Sequence, residues 1–205
     1  LMGSYLRVGG HHSCALLSNG WALRCWGANS KGQLGLGDSY SRGGAKADMG
    51  RNLSNVAIAE QSSLLSFSAG ASFTCGLLRD FSVKCWGGNA DGQLGLGDSL
   101  VRDDEPWEMG TALPLVDFGA NRIALSVACG FWHACALLDD FSVKCWGSNG
   151  YGQLGVGDRV HRGHSEDQMG NELPAVDLGT NVSALVVAGG EAHTCALLHD
   201  HSLKC

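Results

Sequence analysis

Val143-Lys144-Cys145-Trp146-Gly147, running on through Gly152-Gln153-Leu154-Gly155-Val156-Gly157-Asp158, decides the fold, because the same words stand sixty residues earlier and sixty earlier again. Cys25-Trp26-Gly27 leads into residues 32–38, Cys85-Trp86-Gly87 leads into 92–98, and a fourth copy runs to Cys205. A fixed period of this length means stacked or radially arranged copies of one supersecondary unit. The copies span about 1–60, 61–120, 121–180 and 181–205, read as one repeat-built domain over 1–205.

Working outward, each copy reads as short strands. Ile123–Ala128 and Val182–Ala188 are apolar runs ending near glycine, and residues 135–138 and 142–146 flank a polar turn at Asp139-Asp140, a hairpin pattern. The near-continuous apolar character predicts sheets covered on both faces. Met109–Gly119 recurs as Met169–Gly179 and, degraded, from Met49, and predicts one further strand with proline at its entry. In the first copy Ser18-Asn19-Gly20-Trp21 lengthens the hairpin turn, the place where an insertion costs least.

The cysteines extend this reading. Cys75/Cys85, Cys135/Cys145 and Cys195/Cys205 are ten apart and Cys14/Cys25 eleven, so folding each hairpin at its turn sets the two members opposite one another. At a non-hydrogen-bonded site the Cα atoms lie ~4.5 Å apart, within disulfide reach. Four such pairs point to an oxidising compartment, extracellular or at the cell surface. The alternative is a set of buried reduced thiols in a cytoplasmic or nuclear protein. Cys129, whose counterparts are Ala69 and Gly189, is left as a buried free thiol. In copy four, Cys195, His199, His201 and Cys205 also make a tetrahedral zinc set. The other copies hold Arg79, Phe81, Asp139 and Phe141 at the histidine positions, which favours pairing and no metal.

His-x-Cys-Ala-Leu-Leu followed by Val-Lys-Cys-Trp-Gly-x-Asn-x-x-Gly-Gln-Leu-Gly-x-Gly-Asp resembles the regulator of chromosome condensation repeat, over essentially the whole chain. The resemblance implies an all-β fold, a β-propeller usually of seven blades, of which this chain would supply three to four in a cysteine-paired variant. Functions in that family range from nucleotide exchange on a small GTPase to plant ultraviolet sensing and bacterial lactamase inhibition, so the fold alone does not choose among them. The ultraviolet branch repeats Gly-Trp-Arg-His-Thr. Here the matching segment is Gly130-Phe131-Trp132-His133-Ala134, which speaks against photoreception.

The remaining motifs read as structure. His12, His133 and His193 recur two residues before a cysteine, but Phe73 replaces them in copy two, so the position packs and does not catalyse. The Gly-rich loop lacks the Lys-Ser/Thr ending of a phosphate cradle, and its glycines serve turns. No nucleophile, base and orienter assemble, which predicts no enzyme and no cofactor. With 14 Lys and Arg against 20 Asp and Glu and no basic run, nucleic acid is not an expected partner. No apolar stretch approaches the ~18 residues of a membrane span, and residues 1–10 do not read as a signal peptide.

What varies between copies is one loop. Arg102, Asp104, Glu105, Trp107 and Glu108 make it acidic with an aromatic in copy two, and His161, Arg162 and His164 occupy it in copy three. Variable loops on a fixed scaffold are where contacts gather. These residues are therefore the candidate sites for a protein partner, and the chain reads as a non-catalytic binding scaffold. Calcium at 102–108 is the lesser alternative, since no spaced Asp-x-Asp-x-Asp-Gly loop is present. The rival functions are an intracellular, nucleotide-exchange-type regulator of a small GTPase and a carbohydrate-binding accessory domain.

Overall fold

A computed structural model describes residues 5–17, 22–58, 64–180 and 182–205; the turn expected at 18–21 lies outside them. Four three-stranded antiparallel sheets follow one another along the chain, each made of consecutive strands. They are β1 (Tyr5–Val8), β2 (His12–Leu16) and β3 (Leu23–Gly27), then β4 (Leu64–Ala69), β5 (Phe73–Leu78) and β6 (Val83–Gly87). Next come β7 (Ala124–Cys129), β8 (His133–Leu138) and β9 (Val143–Gly147), then β10 (Ala184–Gly189), β11 (Thr194–Leu198) and β12 (Leu203–Lys204). Each sheet is one blade, and the arrangement is a partial propeller.

The hydrophobic core lies between blades, in three clusters that each join one copy to the next. This position explains why similar strands differ in burial. β5 and β8 have neighbours on both faces and are buried at every residue, whereas β2 alternates buried and half-buried side chains. The period-2 signal of a strand with one covered face vanishes when both faces are covered.

Register sets Cys14 opposite Cys25, Cys75 opposite Cys85 and Cys135 opposite Cys145. In the structure these pairs, and Cys195 with Cys205, are disulfides with Cα atoms 4.0–4.1 Å apart, and Cys129 is free and buried. The two thiols of the zinc alternative are thus joined to each other.

The expected fourth strand is reduced to an isolated bridge between Lys144 and Ala175 in copy three and to a single backbone bond in copies one and two. Val56, Val116 and Val176 donate their N–H groups to the carbonyls of Leu23, Val83 and Val143 at 2.7–2.9 Å. Pro114 and Pro174 have no N–H to extend the ladder. Nearby carbonyls also go to a lysine ammonium: Lys84 Nζ reaches Gly110 O at 2.6 Å, and Lys144 Nζ reaches Gly170 O at 2.8 Å and Phe118 O at 3.0 Å.

A candidate protein-binding face built on repeated loops

One hydrogen-bonded frame recurs three times after the third strand. Asn89 Nδ2 donates to the carbonyl of Asp98 at 2.9 Å and to its Oδ1 at 3.1 Å, while Asn89 Oδ1 accepts the Leu94 N–H at 3.0 Å. Asn29 and Asn149 do the same for Asp38 and Asp158. The aspartate then accepts the N–H two residues on, at 2.9 Å from Tyr40, Leu100 and Val160 alike. Its second oxygen pairs with an arginine at i+4: Arg42 with Asp38 and Arg162 with Asp158 at 2.6 Å, and Arg102 with Asp98. The Arg162 guanidinium holds the Asp158 carboxyl far below the usual carboxylate range. Paired backbone bonds between Gly27 and Arg42, Gly87 and Arg102, and Gly147 and Arg162 pin the loop to the strand end.

The frame thereby projects one apolar side chain per copy into solvent. Tyr40, Leu100 and Val160 are 73%, 65% and 56% exposed. Sequence reading missed this row, although the signal was there: an apolar residue of changing identity two places after a repeated aspartate.

Each loop also leans on the preceding copy. Gly37 would carry a Cβ 2.8 Å from Pro106 Cα, so loop 102–108 rests on loop 32–38. Gly97 donates its N–H to Gly163 O at 3.1 Å, setting loop 161–168 on loop 92–98. The two candidate loops thus occupy equivalent places one copy apart.

Within them the candidate residues divide into frame and surface. Arg102 and Arg162 belong to the frame, with side chains 14% and 15% exposed in their ion pairs. Glu108 is half-buried, its carboxylate accepting the N–H of Asp103 at 2.9 Å and of Glu105 at 3.3 Å. Gln168 plays that part in copy three, accepting from Gly163 and His164. Asp104, Glu105, Trp107 and His164 are exposed, Trp107 at 71%. His161 faces Asp91 across the junction at 3.5 Å.

Asp103, passed over in the sequence as one more acid, is wholly buried. It takes φ +77° where Gly43 and Gly163 stand in the other copies, and its Oδ1 accepts the Gly37 N–H at 2.7 Å. Burial pushes its carboxyl up to about 8, with the Asp38 and Glu108 charges adding to the rise and the Gly37 and Leu36 N–H groups opposing it. Its Oδ2 has no partner.

The repeated histidine is also explained. Thr74 Oγ1 donates to Gln33 O at 3.0 Å, so it must accept from His12 Nε2, 2.8 Å away; Thr194 links His133 to Gln153 O in the same way. Burial, helped by His11 and His193, lowers both imidazoles to about 4, so they are neutral at pH 7. The ring lies over a glycine three residues upstream, where an added Cβ would fall 2.0–2.5 Å from a ring carbon, whether of His12, Phe73 or His133. The shared demand is for a flat ring, and only the hydrogen bond is special to histidine. No group of three metal-ligating side chains gathers among the described residues, and no helix there is long and apolar enough to cross a membrane.

Comparison with known proteins gives matches to the regulator of chromosome condensation (RCC1) repeat at residues 6–33, 65–93 and 125–153, and to a second model of that repeat at 82–137. The chain is 30% identical over 199 residues to the Arabidopsis thaliana ultraviolet-B receptor UVR8, covering 97% of this chain and 40% of that protein. It is 32% identical over 190 residues to the human probable E3 ubiquitin-protein ligase HERC6, covering 92% of this chain and 16% of that one. Among solved structures, Prp20p of Saccharomyces cerevisiae, described with its binding to Gsp1p and histones, superposes with TM-score 0.68 at 25% identity. That likeness covers 97% of this chain and 42% of Prp20p. Human WBSCR16 gives the same TM-score at 21% identity, covering 95% of this chain and 44% of that one, a likeness of fold.

Proposed function

Since the chain belongs to the regulator of chromosome condensation repeat family, we propose that it is a non-catalytic scaffold that binds a protein partner through the row of loops after each third strand. The observation that carries this reading is the contrast within those loops: an identical Asn–Asp–Arg frame three times over, presenting Tyr40, Leu100 and Val160 and, on copy two, Trp107 beside Asp104 and Glu105. A rigid frame reduces the ordering cost of association, and exposed aromatics are the usual anchors of binding energy. The acid–aromatic tip of copy two suits a basic partner surface, with Trp107 available to an arginine or lysine.

Photo-crosslinking from position 104 in the native host tests this. A recurring polypeptide should be captured there, and capture should fail when Leu100, Glu105 and Trp107 are all serine. Equal capture by that variant, or from a residue of the exposed β10 face such as Val186, would overturn it.

The setting we propose is oxidising, extracellular or luminal, supported by four facing cystines. A second reading, an intracellular regulator of a small GTPase, has the likeness to Prp20p in its favour. Alkylation without reductant, followed by intact mass on protein from the native host, separates them. The first reading expects at most one modified thiol, Cys129, and a fully reactive set of cysteines favours the second.

A further inference from the structure

Copy one departs from the repeat at two exposed positions, and together they spell a modification signal. Residues 52–54 read Asn-Leu-Ser where copies two and three read Ala112-Leu113-Pro114 and Glu172-Leu173-Pro174. The central leucine is buried in all three and anchors the segment to the core, while its neighbours on either side are exposed in all three. The backbone is shared as well: Leu53 and Leu173 each close a short 3-10 turn, with φ −72° and −71° and ψ 114° and 112°. Gly110 and Gly170 donate their N–H groups to Ala57 O and Asp117 O of the preceding copy, and the residues that follow them stay exposed even so. The repeat itself therefore sets the exposure of Asn52 and Ser54. Asn52 Nδ2 donates to Ala47 O at 2.9 Å, a bond that Ala112 in copy two cannot make and the scaffold does without.

We propose that Asn52 carries an N-linked glycan, within the triplet Asn-x-Ser, x other than proline, that oligosaccharide transfer reads on a surface segment. The proposal rests on the oxidising, extracellular or luminal setting proposed above, since the transfer belongs to that setting. The donor class is an oligosaccharide carried on a lipid pyrophosphate. Asn52 Nδ2 bonds to the anomeric carbon as the bond from that carbon to the pyrophosphate oxygen breaks. The lipid pyrophosphate departs with the electron pair, and Nδ2 gives up one proton. The N–H that remains still serves Ala47 O, so the modified side chain keeps its hydrogen bond in the fold. The glycan then stands at the foot of loop 42–48, the copy-one counterpart of loops 102–108 and 162–168. The same triplet recurs at Asn181-Val182-Ser183, an asparagine outside the described residues, so the test must resolve the two positions.

Protein from the native host is digested, treated with peptide N-glycosidase in heavy-oxygen water, and read by mass at each asparagine. Asn52 should become heavy-oxygen aspartate in most molecules, and the untreated peptide should carry the mass of the sugar. Asn52→Gln and Ser54→Ala should each abolish the label at position 52, and Ser54→Thr should keep it. Ser54→Ala leaves the bond from Asn52 to Ala47 in place and removes only the signal, so a purely structural role for Asn52 predicts no change. Ser54→Pro, which restores the residue of copies two and three, should also leave position 52 bare. Alkylation of the same sample without reductant separates failure of this proposal from failure of the setting. Cystines intact with Asn52 bare overturn the glycan and leave the setting standing, whereas reactive cysteines with Asn52 bare overturn both. A label at Asn181 alone, or one at Asn52 that survives Ser54→Ala, equally overturns the proposal.

Discussion

The junction between copies one and two and the junction between copies two and three have the same backbone design and opposite chemistry. The first is polar: His12, Thr74 and Gln33 form a buried hydrogen-bond chain, and Asp103 inserts a carboxyl beneath Gly37. The second buries Phe73 and Ala134 in one apolar cluster, Gly163 stands where Asp103 would, and the Gln93 carbonyl is served by Trp146. A loop carbonyl at each junction needs one donor, and either a threonine or an indole supplies it. The substitutions are compensated in pairs, His with Thr and Phe with Ala, although the members of a pair lie about sixty residues apart. A buried polar chain is tolerable complete or absent, and costly in halves.

The strongest way to break the comparison is at the indoles. Trp146→Ala and Trp86→Ala should each cost about 3–5 kcal/mol, the range for removing a large buried aromatic. Phenylalanine separates them. Trp146→Phe leaves Gln93 O without its donor and should cost about 1–3 kcal/mol more than Trp86→Phe, whose N–H has no partner to lose. Urea midpoints combined with amide exchange at each junction would show it, since repeats open locally and a single global midpoint blurs the site. Equal costs would mean that the indole bond at 3.0 Å contributes nothing net.

Half of a polar chain can be installed on purpose. Phe73→His alone places an imidazole against Ala134 with no acceptor or donor to meet it, at a cost of about 2 kcal/mol. Adding Ala134→Thr should recover much of that loss, and a double-mutant cycle should report coupling of about 1 kcal/mol or more. Additive effects would show that the two positions do not act as a pair.

That pairing marks the limit of what could be read in the sequence. Strand order, the hairpins and the facing cysteines are local, fixed by spacing within one copy, and they are legible there. The histidine position was legible as a packing site because Phe73 replaces it. Its partner was not, because Thr74 belongs to the next copy and nothing within a copy points to it. The fourth strand failed for a different reason: proline and the lysine ammonium compete for the ladder, and hydropathy records neither. Asp103 reads in sequence as part of a solvated acidic run. The turn that needs φ near +77° carries it inward, where its counterparts are glycines.

Acidity probes the same contrast. His12 and His133 sit at about 4 in the fold against 6.5 when unfolded, so between those values the unfolded chain binds more protons. Their stabilisation is present above pH 6.5 and is lost as the pH falls toward 4, by up to about 3 kcal/mol for each. The first and third junctions should therefore loosen on acidification while the second, with Phe73, holds. Amide exchange between pH 7 and 4.5 checks this, and uniform loosening of all three would refute it. His12→Phe combined with Thr74→Ala should make the first junction as indifferent to acid as the second.

Asp103 works in the other direction. Its carboxyl sits at about 8 in the fold against 3.8 when unfolded, so across that window the folded chain holds the extra proton. The contribution is at its best at low pH and declines as the pH rises from 4 toward 8. Asp103→Asn keeps an oxygen for the Gly37 N–H and cannot ionise, so it should match the native chain below about pH 4 and exceed it by a growing margin up to pH 8. Asp103→Gly gives up the Gly37 bond and adds the backbone entropy of glycine in exchange for relief of positive φ and of an orphaned oxygen, terms of about 1 kcal/mol each that nearly cancel. If both variants flatten the alkaline limb of first-junction exchange, the buried acid governs it. If neither does, the carboxyl is solvated when ionised, and the first junction differs from the second only through His12 and Thr74.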